Sequence, residues 1–440
     1  MKHNNFIKYL NRAYNQINDC NVPVLLKYTK TISCDLDKVI YNLSNKSKII
    51  YMNFPNKRCY IGIGQCLSMK INSKEELKNL KNKKYIVVSN AKNDLVFLGG
   101  ASFDFNKKSA HPWTNIPKGK FVIPKLLISK LNNKIEMTYT RKIDKNLINT
   151  SITKEYTRYA KLIENQGNSP IKYTSPTIVI KSETPSYNTY IKNIDTIIHS
   201  IKNKELNKVV ISRIVNYSLS NNISILNLIH YLNKNYSNCF NFIISFSKHR
   251  LFVGSTPEKI IQLNNKSFKI DAIAGSSNDK KNIKNSKEID EHNFVIEHIK
   301  QQMKKIVSNI SIPKSPVILN LPYIYHLYTE ISGRLKNKTH ILDLLTKLYP
   351  TPALLGSPYN NAFKKIDQYE KINRGWYGGC IGLYDDNGNG EFYVPIRSGL
   401  IKGKNITLFT GSGIVSKSNA RKEWEETTLK LEHILSYFKN

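Results

Sequence analysis

Short apolar runs, each bounded by glycine or by polar turn residues, recur along this chain and constrain its fold more than any other feature. In the second half they read NKVVISRIVNYSL, NFIISFS, RLFVGST, EKIIQL and KSFKIDAIAG, with the length and composition of strands. Segments with helical spacing flank these runs but do not alternate strictly with them. The pattern therefore predicts an α+β fold with large, mostly antiparallel sheets flanked by helices.

Three segments have the apolar spacing of amphipathic helices. They are TYIKNIDTIIHSIKN, a long segment that begins at about Ser286, and a C-terminal segment with Trp424 and Leu431 on one face. Another helical stretch is predicted around His326. The Asn-Gly dipeptides in CIGLYDDNGNGEFYVPIRSGLI predict a β-hairpin.

The chain is divided on these patterns into three parts. Residues 1–53 are helix-compatible and weakly patterned, and we predict a variable N-terminal helical segment there. Residues 54–185 form the N-terminal part of the main fold, and residues 186–440 carry most of the motifs. Within the middle part, the polar stretch 131–185 is predicted to be a surface connection.

The net charge of +35 first suggests a protein that binds nucleic acid. However, only ten of the 67 basic residues are arginine, the residue that reads bases and clamps phosphates with its bidentate fork. The lysines are scattered among asparagines from end to end, which indicates a coding bias rather than a binding surface. A lysine-rich nucleic-acid-binding protein stays as the alternative from another class.

The cysteines and the apolar runs indicate the compartment. The six cysteines form no C-x-x-C pair and have no metal-type spacing with histidine, so we expect free thiols in a reducing cytosol. No apolar run reaches the roughly 18 residues that span a bilayer. The N-terminus lacks the apolar region of a signal peptide. We therefore expect a cytoplasmic protein that does not associate with membranes.

Two pairs of glutamates are candidates for a metal site. Glu288 and Glu291 lie three residues apart near the start of one predicted helix, and Glu423 and Glu426 do so in the last helix. Such a spacing places both carboxylates of a pair on one helical face. If the two pairs faced each other, they would suit Mg²⁺; each pair taken alone is better explained by a solvated helix start.

Other candidates are a glycine turn, an arginine, a lysine and a glutamate. The segment TGSGIV could present backbone N–H groups to an anion, or it is a plain tight turn. Arg397 lies in an apolar run, where it needs either a substrate carboxylate or an internal glutamate. Lys208 opens a strand and Glu258 follows one, so burial could make them a base and an acid, or they are ordinary surface charges.

The order of these motifs along the chain carries a resemblance. The series is NKVVISR, FVGSTPEKI, DAIAGS, KEIDEHNFV, YHLYTEISGRL, LYPTPALLGSP, INRGWYGGCIGL, VPIRSG, TGSGIV and EWEETTLK. From about residue 208 to 430 it resembles the chorismate-utilising enzyme family, specifically its isochorismate synthases, with a weaker match back to about residue 58. The resemblance implies the chorismate-binding fold of anthranilate synthase component I, with residues 186–440 as the catalytic region.

Single positions distinguish the branches of that family. Aminating members carry Gln where this chain has Lys208, and aminodeoxychorismate synthases use a nucleophilic Lys where it has Ala274. The resemblance therefore implies that water is the nucleophile. Ser276 replaces a common Thr, Cys380 replaces a frequent Pro, and the connection from residue 275 to 288 is short, which leaves the fine specificity open.

The resemblance also implies a role for each site residue. Lys208 would activate the water that adds to C2 of chorismate, and Glu258 would protonate the departing C4 hydroxyl. Glu291 and Glu426 would hold Mg²⁺, supported by Glu288 and Glu423. The residues implied in substrate binding are Gly275, Ser276, His326, Tyr377, Arg397, Gly411, Ser412 and Gly413. The implied product is isochorismate, made by a monomer, with a salicylate synthase as the alternative. The catalytic residues do not indicate the pathway; the A/T-biased composition favours menaquinone synthesis, with a siderophore pathway as the alternative.

Overall fold

The structure is a computed structural model that describes residues 2–17, 21–44, 48–92, 94–145, 149–164 and 175–439. The helices are α1 (Lys2–Asn15), α2 (Leu36–Ser44), α3 (Lys74–Asn79), α4 (Asn149–Glu164), α5 (Tyr187–Lys202), α6 (Ile225–Asn235), α7 (Ser286–Met303), α8 (Ile341–Leu348), α9 (Tyr359–Tyr369) and α10 (Ala420–Leu435). Within these ranges, no helix is both long enough and apolar enough to cross a membrane.

The strands fall into two sheets. They are β1 (Val24–Ile32), β2 (Ile49–Asn53), β3 (Arg58–Ile63), β4 (Leu67–Ile71), β5 (Ile86–Ser89), β6 (Val96–Ala101), β7 (Gly119–Ile123), β8 (Leu126–Leu131), β9 (Lys134–Ile143), β10 (Ile178–Thr184), β11 (Lys208–Leu219), β12 (Phe240–Ser247), β13 (Arg250–Thr256), β14 (Lys259–Asn264), β15 (Ser267–Ser277), β16 (Val307–Ser311), β17 (Val317–Leu321), β18 (Ile324–Leu335), β19 (Gly356–Ser357), β20 (Cys380–Asp385), β21 (Gly390–Tyr393), β22 (Ser398–Lys402) and β23 (Asn405–Ile414).

The sheet order joins strands that are far apart in the chain. The larger sheet runs β10-β11-β23-β22-β13-β12-β2-β3-β8-β9-β1-β5, with β19 beside β11. The smaller sheet runs β16-β18-β15-β14-β21-β20-β6-β7-β4, with β17 beside β18. In the part of the chain that the structure describes, every pair is antiparallel except β1 with β5, which confirms the predicted fold class.

The two sheets are held together by an aromatic and aliphatic core. Phe240 of the larger sheet stacks on Tyr393 of the smaller sheet with 4.5 Å between ring centroids. The same cluster includes Leu98 from β6 and Ile381 from β20. Because strands from before and after residue 186 pair in both sheets, these layers contain residues from both ends of the chain.

The structure corrects three expectations on secondary structure. The stretch around His326 is strand β18, since its alternating side chains pair with β15 and β17. Residues 1–53 contain strands β1 and β2 as well as helices α1 and α2. The stretch 131–185 contains β9, α4 and β10, and α4 buries Ile152, Tyr156 and Ile163. Polar composition concealed α4 because only one face of this helix is buried.

Other expectations hold. The helices predicted over TYIKNIDTIIHSIKN, from about Ser286 and at the C-terminus are α5, α7 and α10, and the Asn-Gly segment forms the β20–β21 hairpin. The cysteines within the described residues are free thiols, whereas Cys20 lies outside those residues.

Candidate active site

One enclosed cavity contains most of the predicted site residues. Those that line it directly are Glu258, Gly275, Ser276, Glu291, His326, Tyr377, Arg397, Gly411, Gly413 and Glu426. The remaining predicted residues are buried but are not part of this lining; they are Lys208, Glu288, Ser412 and Glu423. Strands of both sheets and helices α7 and α10 supply these side chains, so residues separated by more than 200 positions meet here.

Lys208, at the start of β11, is paired with Glu291 of α7. The Lys208 ammonium donates to Glu291 Oε1 at 2.6 Å, and its side chain is 3% exposed. Burial acts to raise the pKa of Glu291, but the neighbouring Lys208 charge outweighs it, and the pKa is lowered. Glu291 is therefore held as a carboxylate, and the ion pair fixes the Lys208 side chain against it.

Glu258 lies in the turn between β13 and β14 and is almost fully buried. Burial raises the pKa of its carboxyl to about 8, with a further contribution from the negative charge of Asp271. Its hydrogen-bond partner is the hydroxyl of Thr351, at a long 3.4 Å from Oε1. A carboxylic acid that stays protonated at neutral pH is suited to donate a proton to a leaving group.

The structure brings the two acid pairs together. Helix α7 begins after the Asn285 cap and α10 after the Asn419 cap, so both present their first-turn glutamates near the same end. Lys287 bridges the two helices, with its ammonium 3.6 Å from Glu288 Oε1 and 3.0 Å from Glu423 Oε1. Lys430 pairs with Glu426 at 2.5 Å. Four carboxylates and three lysines therefore meet at this end of the helices.

This cluster has the chemistry of a site for a hard cation. Glu423 Oε2 is buried without a hydrogen-bond partner, and burial followed by the nearby Glu426 charge raises the pKa of Glu423 to about 7. Within the described ranges, no three His, Cys, Asp or Glu side chains form a ready-made metal cage. A few carboxylates with an unsatisfied oxygen fit Mg²⁺, which keeps its waters and takes few protein ligands.

Arg397, His326 and Ser276 form a chain of hydrogen bonds along the cavity wall. Arg397 Nη2 lies 2.8 Å from His326 Nε2, and His326 Nδ1 lies 3.0 Å from Ser276 Oγ. Burial and then the Arg397 charge lower the pKa of His326, so the imidazole is neutral. Since an arginine only donates, Nε2 accepts and Nδ1 carries the proton that is donated to Ser276.

The same arginine has capacity for another partner. Arg397 has a backbone φ of 51°, in the left-handed region, and its buried Nε has no hydrogen-bond partner. Tyr377 lies beside it in the lining and stacks on Phe409 with 5.3 Å between ring centroids. A buried guanidinium with an unused N–H is suited to grip a carboxylate.

Ser412 differs from its neighbours in β23. Its hydroxyl lies 2.9 Å from the Tyr190 hydroxyl, so this side chain points away from the cavity that Gly411 and Gly413 line. Alternation along the strand explains the difference. Any contact between Ser412 and a ligand would therefore use its backbone.

Sequence reasoning missed Lys430 and Lys287. Lys430 lines the cavity and also donates to the Gly411 carbonyl at 3.0 Å. The available signal was its position four residues after Glu426, on the same helical face. Lys287 directly precedes Glu288, and nothing in the sequence distinguishes it from the other lysines.

The fold and the cavity define a class: an α+β protein whose buried, charged pocket suits a small carboxylate-bearing molecule. A family model described as chorismate binding enzyme matches residues 11–439, and the chain belongs to that family.

Relatives and solved structures agree with this assignment. The chain is 27% identical over 461 residues to "Isochorismate synthase MenF" of Bacillus subtilis (strain 168), covering 98% of this chain and 97% of that protein. It is 27% identical to "Isochorismate synthase EntC" of Escherichia coli (strain K12), covering 59% of this chain and 70% of that protein.

Two solved structures share the fold. The menaquinone-specific isochorismate synthase MenF of Escherichia coli matches with a TM-score of 0.76 at 20% identity, over 98% of this chain and all of that chain. Anthranilate synthase component I of Streptococcus pneumoniae matches with a TM-score of 0.68 at 16% identity, over 93% and 92% of the two chains. The predicted anthranilate synthase component I-like fold is confirmed.

Proposed function

We propose that this protein is an isochorismate synthase, an isomerase that converts chorismate to isochorismate with Mg²⁺ as cofactor. The observation that carries the proposal is the protonated Glu258 in the cavity lining, together with Lys208, which is paired with Glu291 of the same lining. The near full-length similarity to a Bacillus subtilis isochorismate synthase supports the same activity. A menaquinone-specific isochorismate synthase is among the structures that share the fold, and menaquinone biosynthesis is the pathway that we propose.

In the proposed mechanism, a proton is removed from water at C2, one end of the allylic system, and a proton is donated to the hydroxyl at C4, the other end. Lys208, neutral and released from Glu291, accepts a proton as water adds to C2 of chorismate. Glu258 donates its proton to the C4 hydroxyl, which leaves as water. One water is added and one is lost, so substrate and product are isomers.

The other residues hold the substrate in place. Arg397 and Tyr377, with the backbone of Gly411, Ser412 and Gly413, grip its carboxylates, and the fixed His326–Ser276 pair lies near the ring along with Gly275. Glu291 and Glu426 would hold Mg²⁺, supported by Glu288 and Glu423. Held there, Mg²⁺ would supply positive charge to the carboxylate cluster and to the C1 carboxylate of the substrate.

The test is a product assay with chorismate and Mg²⁺, in which isochorismate is separated by chromatography and salicylate is followed by its fluorescence. We expect isochorismate, and its loss in a chelator. Lys208→Ala and Glu258→Gln should abolish turnover with unchanged circular dichroism, while the exposed controls Lys402→Ala and Glu297→Gln keep it. Salicylate with pyruvate would instead identify a salicylate synthase, and an active Lys208→Ala variant would reject the mechanism.

A further inference from the structure

A second buried carboxylate lies directly beside Glu258, outside the cavity lining. Asp271, on β15, is 8% exposed. The backbone N–H of Lys259, the residue after Glu258, donates to Asp271 Oδ2 at 3.2 Å, and the Tyr328 hydroxyl donates to Oδ1 at 3.1 Å. Asp271 is therefore tied to the turn that carries Glu258.

We propose that Asp271 is a positioning residue that fixes the Glu258 turn and, through its negative charge, keeps the Glu258 carboxyl protonated. This inference rests on the proposed function, in which Glu258 is the general acid. Asp271 touches neither the cavity nor the reacting atoms, so it acts only through Glu258.

The hydrogen bonds of the two carboxyls decide which one ionises first. Asp271 accepts from a backbone N–H and a phenol, whereas the contact found for the Glu258 carboxyl among the described residues is the long one with Thr351. Burial raises the pKa of Asp271 to about 6, while the Lys259 charge and these donors act to lower it. When two buried carboxyls interact, the carboxyl that accepts more hydrogen bonds loses its proton first. The remaining proton stays on Glu258.

Other charges face the pair without reversing this order. Lys208 and Lys430 both act to lower the pKa of Glu258, but each is paired with its own glutamate, Glu291 or Glu426. Glu330 lies opposite Asp271 in the β15–β18 register. It is partly exposed and paired with Lys269 at 2.8 Å, so its effect is screened.

The test is the pH dependence of kcat in Asp271→Asn, which removes the charge and keeps an oxygen for the Lys259 N–H. The general acid must be protonated, so activity falls as pH rises through its pKa. Without the Asp271 charge, Glu258 should lose its proton at a lower pH. We expect the alkaline limb to shift down by about one pH unit, equivalent to roughly tenfold lower kcat at pH 8 to 9, with kcat near pH 6 and KM close to wild type.

The matched control is Glu330→Gln, which removes a charge from the partner position on the neighbouring strand and should leave the profile unchanged. Asp271→Glu keeps the negative charge and should show the same alkaline limb in the pH profile of kcat as wild type. Should Asp271→Asn fail to fold, Asp271→Ser removes the same charge and is expected to shift the limb in the same direction. A titration of ¹³C-labelled carboxyls, with Glu258→Gln to assign the signal, gives the same comparison without turnover.

The outcomes separate this inference from the proposed function. If Glu258→Gln is fully active, the general-acid assignment fails, whatever Asp271 does. If Glu258→Gln is inactive but the Asp271→Asn and Asp271→Ser profiles superimpose on the wild-type profile, the proposed function stands and the role of Asp271 is rejected.

Discussion

Among single residues, Gly413 lies directly against the paired side chains of Lys208 and Glu291. A Cβ atom there would lie 2.5 Å from Glu291 Oε1 and 2.9 Å from Lys208 Cε. Its neighbour Ser412 has a side chain, which points to the other face of β23. A side chain at position 413 would therefore have to displace the Lys208–Glu291 pair.

We predict that Gly413→Ala inactivates the enzyme while leaving the fold intact. The added methyl must push Lys208 or Glu291 aside, and a displacement of about 1 Å at a reacting group costs on the order of 100-fold in rate. Steady-state kinetics alongside thermal denaturation measures both effects.

The control for this prediction is Gly403→Asn, at a glycine with open space around it and a positive φ of 58° that asparagine tolerates. It should keep wild-type activity. Wild-type kcat in Gly413→Ala would contradict the geometry of the pair.

Sequence patterns pointed to residues that lie within recognisable motifs, but not to residues whose role depends on a partner elsewhere in the chain. Lys208 and Glu258 were found because an ordered series of motifs surrounds them. Lys287 and Asp271 were missed because nothing local marks them: Lys287 matters through Glu423, 136 positions away. Lys430 was missed although its position four residues after Glu426 was a local signal. Such partners are set by strand pairing and helix packing, which the sequence does not reveal.

Among the secondary-structure elements, helices α7 and α10 form the charged wall of the site. Each begins at an asparagine cap, and Lys287 connects their first turns through Glu288 and Glu423. Without a bound cation, this lysine supplies charge that compensates two buried carboxylates. Removing the partner of a buried charged group lowers the free energy of unfolding by about 1–3 kcal/mol or more.

We predict that Lys287→Met lowers the melting temperature of the protein in chelator and that Mg²⁺ restores more of it than in wild type. A bound cation supplies the charge that the variant lacks, so the increase in melting temperature on adding Mg²⁺ should be larger. Differential scanning fluorimetry with and without Mg²⁺ checks this.

The matched control on the same helix is Lys300→Met, whose side chain is exposed and pairs only with Glu297. It should behave as wild type. An equal response to Mg²⁺ in Lys287→Met and Lys300→Met would place the cation away from these helices.

At the scale of secondary-structure elements, the sequence predicted those whose buried residues recur at regular spacing. It missed those that are defined by pairing with other strands. The capped, amphipathic α7 and α10 were predicted. Strand β18 was interpreted as a helix because its tyrosines and β-branched residues fit both patterns. Its pairing with β15 and β17 is what identifies it as a strand.

On the scale of the whole molecule, the net charge of +35 surrounds a pocket for a substrate with two carboxylates. We predict that kcat/KM for chorismate falls as salt is raised at saturating Mg²⁺, while kcat changes little. Raising salt from about 0.01 M to 0.1 M shortens the Debye length from about 30 Å to about 10 Å, which weakens long-range attraction of an anion.

A series with a neutral osmolyte is the control for viscosity and water activity. A kcat/KM that does not respond to salt would mean that the surface lysines have no part in substrate capture.

The sheet order also determines when the protein can fold during its synthesis. Strand β2 pairs with β12, and β6 pairs with β20, which leaves the ribosome roughly 280 residues later. At about 5–20 residues per second, β6 waits some 15–60 s for its neighbour. During that time an apolar strand edge of the nascent chain has no native partner. The cell must therefore shield this edge, and the demand for chaperones should be greatest just before residue 380 emerges.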